Sequence, residues 1–137
     1  MNDIGDRLAI QDLRARWGES VNSRDEGMFR ALWDENGEWK LFDPEPIVGR
    51  DNIVAAWLKA LAQFPRAMMF MSPGHLAIAG DTATGKVYNF EVGATADGRN
   101  IRIFSSYDDA YVKRDGQWLF ARRTFSLMHM EDYRTGE

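Results

Sequence analysis

Apolar residues recur at steps of three and four in the first part of the chain. Ile10, Leu13, Trp17 and Val21 make one face of a helix over about residues 6–22, with Arg14, Arg16 and Glu19 on the other side. A short second helix is predicted over about 25–33, with Phe29, Leu32 and Trp33 as its apolar face and Ser23 or Asp25 as its cap. "DENG" at 34–37 reads as a turn, "EWKLF" as a strand with Trp39 and Leu41 on one side, and "DPEP" as a loop. A third helix is predicted from Asp51, a candidate N-cap behind Gly49, to Pro65, with the stripe Ile53, Trp57, Leu58 and Leu61. From Met68 onward the chain reads as strands: Met68 to Ala79 with a bulge at Pro73–Gly74, then Lys86 to Thr95, Ile101 to Lys113 and Trp118 to Met128. "GDTATG", "ADGRN" and "KRDGQ" connect them, and the polar residues 129–137 are expected to form a loose tail. Three helices, one early strand and a four-stranded antiparallel run make an α+β plan, expected as a single domain over 1–137.

Composition narrows the function classes. A net charge of −4 argues against binding a phosphate backbone, which normally takes a basic face. With no cysteine there is neither a disulfide framework nor a thiolate metal site. No apolar run has the length of a membrane span, and the N-terminus lacks the apolar stretch of a signal peptide, so a cytoplasmic protein is expected. Five Trp and seven Met suit a roomy apolar interior.

"RLAIQDLRARW", "SRDEGMFRALWDENGEW", "GDTATG" and "YVKRDGQWLFARR" together resemble the SnoaL-like branch of the NTF2-like superfamily. Within it the pattern is most similar to the cofactor-free hexachlorocyclohexane dehydrochlorinase and the scytalone and bile-acid dehydratase-like members. The resemblance implies a cystatin-like cone, with helices on a strongly curved, mainly antiparallel sheet around an apolar small-molecule pocket. It also implies no cofactor and no metal. In those relatives an Asp–His pair abstracts a proton from carbon. Here the aligned positions are Asn22 and Met69, and neither can perform that role.

The same alignment turns Val87, Asn89 and Glu91 inward, and likewise Ile103, Ser105 and Tyr107, then Arg123, Phe125 and Leu127. It places Trp17 and Trp39 in the pocket and Phe64 and Ala67 near its mouth. Hydrophobicity alone argues the opposite for one strand, burying Tyr88, Phe90 and Val92 and exposing Asn89 and Glu91. In the family register the Tyr88/Phe90 face is an apolar outer face, which favours a homo-oligomer, dimer or trimer.

The candidate catalytic residues are Glu91 as base, Arg123 beside it and Tyr107 as hydrogen-bond donor. Trp17, Asn22, Trp39, Met69, Asn89, Ser105 and Phe125 are the candidate ligand-pocket residues. Against these roles stand a Glu91–Arg123 ion pair that only organises the cavity, and Asn22 as the left-handed end of a helix. His75 reads as a strand-end or surface residue, His129 as part of the tail, and Asp108 and Asp109 as a solvated strand edge. Two functions follow: a cofactor-free lyase or isomerase, or a non-catalytic ligand-binding or oligomerising protein. An oxygenase small subunit shares the fold, but the chain is short for one.

Overall fold

The computed structural model describes residues 3–134. Its elements run α1 (Ile4–Ser23), α2 (Glu26–Ala31), β1 (Trp33–Lys40), β2 (Ile47–Val48), α3 (Arg50–Gln63), β3 (Arg66–Ala79), β4 (Thr82–Ala94), β5 (Arg99–Arg114) and β6 (Gln117–Arg134). The strands form one six-stranded sheet in the order β2-β1-β6-β5-β4-β3. β1 lies parallel to β6, and every other pairing is antiparallel. The α+β plan holds, with α1 packed on β3 and β6, and α3 on β1.

Several boundaries differ from expectation. Trp33 opens β1 rather than closing α2, and "DENG" lies inside that strand. Trp33 pairs with Phe120, but the next paired residue on β1 is Glu38, opposite Arg122. The turn-forming residues are therefore absorbed as an irregular bulge within β1. α3 begins behind Gly49 (φ 94°) with no side-chain cap, so Asp51 sits in the first turn and pairs with Arg30 instead. Its buried stripe holds Val54, while Leu58 is exposed. Residues 129–134 are not loose: they continue β6 against β5, and 135–137 lie outside the described residues.

The expected interruption of β3 is present. Pairing moves from Pro73↔Val87 to Leu76↔Gly85, one extra residue on β3. Gly74 is required there, because a Cβ would lie 2.5 Å from the Lys86 carbonyl oxygen. The "KRDGQ" hairpin turns on Asp115 and Gly116, both at positive φ as a tight two-residue turn demands.

The core is aromatic. Trp17 packs edge-on against Trp33, Trp39 and Phe120, while Phe29 stacks flat on Trp57 at 4.2 Å. These contacts join all three helices to β1 and β6. In β4, Val87 and Asn89 are buried and Tyr88 is exposed, so the family register describes this strand and the hydrophobicity argument fails. It fails because the outer face is apolar as well.

Candidate functional site

A cavity of about 220 Å³ lies among α1, α3 and the inner face of the sheet. Trp17, Trp39, Met69, Phe125, Phe64 and Ala67 are among the residues that line it. Phe42, Ala60 and Met68 line it while also reaching the surface, and so mark its mouth. Among the lining residues only Glu91 and Tyr107 carry ionisable side chains.

Glu91 projects from β4 into this wall, and burial raises its pKa from 4.5 to about 7. Among the described residues, no hydrogen bond or ion pair holds its carboxyl. The expected pairing with Arg123 is not formed. Arg123 is fully buried and bound through two bonds to Asp109, Nε to Oδ1 at 2.7 Å and Nη2 to Oδ2 at 3.1 Å. Asp109 faces Arg123 directly across the β5–β6 ladder and is buried, not a solvated edge residue; Asp108 beside it is exposed.

This pair belongs to a larger buried network. The Tyr111 hydroxyl donates to Asp109, and the Arg14 Nε donates to Tyr111 at 2.8 Å. Arg14 also donates to the His75 carbonyl at 3.1 Å. The Arg123 guanidinium lies over the rings of Tyr107, Trp17 and Phe120, at 4.0, 4.4 and 4.4 Å. Arg123 is thus built into the core behind Tyr107 and is absent from the cavity lining. The sequence alone does not single out Arg14 and Tyr111. The helical pattern puts Arg14 on the polar side of α1, yet it is buried, because its guanidinium is satisfied by Tyr111 and the His75 carbonyl.

Tyr107 meets the cavity from β5. Its hydroxyl accepts a hydrogen bond from the Trp39 indole at 3.1 Å, which leaves its own hydrogen to be donated elsewhere. Burial pushes its pKa up, so the phenol stays protonated.

Asn22 does not line the cavity and is not a left-handed helix end. It lies within α1, and Arg24 takes the left-handed position at φ 55°. Its side-chain amide clamps Met69: Oδ1 accepts from the Met69 N–H at 2.7 Å, and Nδ2 donates to the Met69 carbonyl at 3.0 Å. Asn89 and Ser105 face inward and are buried, but they stand outside the cavity lining with no side-chain partner. His75 is exposed beside the β3 bulge. His129 is an exposed strand residue of β6, next to Glu131 and 6.0 Å from the Phe104 ring. Among the described residues no group of His, Asp and Glu could hold a metal ion, and no helix is long and apolar enough to cross a membrane.

The SnoaL-like domain family matches residues 2–124. The chain belongs to the SnoaL-like family. Solved structures agree on the fold of this SnoaL-like protein. It is similar to the hexachlorocyclohexane dehydrochlorinase LinA-type3 from Novosphingobium barchaimii LL02, at 21% identity over 98% of this chain and 93% of that one, with a TM-score of 0.86. It is also similar to a Caulobacter vibrioides protein with a cystatin-like fold, at 23% identity over 90% of this chain and 89% of the other, with a TM-score of 0.78. A third similar structure is that of a point variant of a Mycobacterium tuberculosis protein of unknown function, at 29% identity over 90% of this chain and 72% of that one, with a TM-score of 0.77. Among curated proteins no match was found.

Proposed function

We propose that this SnoaL-like protein binds an apolar small molecule in the cavity and acts on it as a cofactor-independent lyase or isomerase, with Glu91 as the proton-transferring group. The observation that carries this reading is a carboxyl held near pKa 7, with no cation beside it, in an otherwise apolar wall. A group poised there exchanges its proton readily near neutrality and suits general acid–base work. Tyr107, its acceptor side occupied by Trp39, supplies a donor to an oxygen on the ligand. Arg123 acts on Tyr107 from behind and does not touch the ligand. The dehydrochlorinase and dehydratase-like proteins of this fold agree with a lyase-type reaction, but the residues that carry it here are different.

A second reading, non-catalytic ligand binding, is favoured by Asn22 and Met69. They occupy the positions aligned with the relatives' acid and base, and the Asn22 side chain is spent on clamping a strand. Proton exchange separates the two. Cyclohexanone incubated with the protein in D2O is expected to lose its α-proton NMR signal, and Glu91→Gln to slow that loss at least about 100-fold. Binding seen by tryptophan fluorescence, with no exchange by the unaltered protein, supports the second reading instead.

The outer face supports self-association with a second copy. Phe70, Phe90 and Phe104 form a cross-strand row ending at His129, with Phe70 54% and Phe104 42% exposed. An Arg102–Glu131 ion pair flanks the row on one side and the cross-strand neighbours Lys86 and Asp108 on the other. Both signs border the same stripe, a pattern complementary to itself.

A further inference from the structure

We propose that Arg24 is a positioning residue that holds the mouth of the cavity closed, with the Phe64 ring as the part it holds; this rests on the reading that the cavity takes a ligand. α3 ends at Gln63, and the last carbonyls of a helix have no partner within it. Two carbonyls at this end meet one side chain: Arg24 donates from Nη1 to Leu61 O at 3.2 Å, which also accepts the Phe64 N–H at 3.1 Å, and from Nη2 to Phe64 O. The left-handed backbone at Arg24, just past the end of α1, starts the turn from which this side chain reaches α3.

The segment so held forms much of the mouth. Leu61, Phe64, Ala67 and Met68 all line the cavity. Phe64 lies against the backbone of β4 at Gly93, where a Cβ would come within 3.2 Å of its ring. Gly93 is two residues beyond Glu91 on the same face of the strand, so the ring closes the cavity on the Glu91 side. Asn22 holds the far end of the same segment at Met69. Between these two fixed points, residues 66–68 rely on their ladder with β4. Arg24 is exposed and its two bonds stand in water, where each is weak enough to break and re-form as a ligand passes. A mouth held this way opens by releasing Phe64 and leaves the sheet intact.

Hydrogen–deuterium exchange on the free protein tests the clamp directly. Arg24→Met keeps the length of the side chain and removes its donors. Amides of Phe64 and of residues 66–68 are expected to exchange at least about fivefold faster, with β5 and β6 unchanged and Arg24→Lys partly restoring protection. Gly93→Ala, which displaces Phe64 while leaving Arg24 intact, should reproduce the effect. With 4-nitroanisole as the probe, followed by quenching of tryptophan fluorescence, association and release should both quicken in Arg24→Met with the affinity kept within about twofold. Unchanged exchange at 64–68, an equal rise throughout β5 and β6, or faster exchange without faster probe kinetics would each overturn the proposal. If the unaltered protein fails to bind the probe or other apolar molecules, the ligand-binding reading fails and the gating role falls with it, while the exchange data still decide whether Arg24 holds the segment.

Discussion

Antiparallel alternation turns the Met69 N–H and C=O away from β4, the edge position of β3 leaves them no strand partner, and Asn22 answers each with the opposite kind of atom. An aspartate could accept from the N–H but, once ionised, would set an oxygen against the carbonyl. Asn22→Asp is therefore expected to cost about 1–2 kcal/mol in urea denaturation at pH 8, and less at pH 4, where a protonated carboxyl can donate. Glu91 gives a second pH effect. Its pKa of about 7 in the folded chain, against 4.5 unfolded, means that the fold keeps a proton through that window which the unfolded chain has released. Stability from this group is complete below about pH 4.5, falls as the pH rises to about 7, and is level above it. Glu91→Gln is expected to match the unaltered protein at pH 4 and to exceed it by about 3 kcal/mol at pH 8, measured by denaturation at both values.

These residues also mark the limits of what the sequence disclosed. The inward position of Glu91 followed from the family register and not from hydrophobicity, since Tyr88 and Phe90 look more like core. The partner of Arg123 was missed because alternation assigns a face but not the neighbour across the ladder. Only the β5–β6 register sets Asp109 opposite Arg123.

At the level of elements, periodicity found all three helices and the four long strands, while local signals misplaced their ends. "DENG" has turn chemistry whether it reverses the chain or swells into a bulge, and the choice was made by the distant partners Phe120 and Arg122. β5 and β6 are further tied by the buried Asp109–Arg123 pair, with Arg14 bringing in α1 through Tyr111. Asp109→Leu or Arg123→Met alone leaves one buried charge uncompensated, and each should cost about 3–5 kcal/mol. The double variant should lose clearly less than the sum of the two, and additive losses in a double-mutant cycle would mean that the charges are not coupled.

For the whole molecule, the outer row of Phe70, Phe90 and Phe104 predicts concentration-dependent association. Sedimentation velocity should show a species larger than one chain, and Phe104→Lys should shift it toward the monomer with little change in unfolding midpoint. A monomer at high concentration before any substitution would remove the outer face as an interface. The parallel pairing of β1 with β6 bears on how the chain is made. Trp33 finds its strand partner in Phe120, from the opposite end of the sequence, and Trp17 packs on the same ring. A chain emerging N-terminus first therefore holds Trp17 and Trp33 without this partner until Phe120 has been synthesised. Truncation ahead of Phe120 should give a sticky intermediate rather than a smaller domain, the kind of nascent species that chaperones retain.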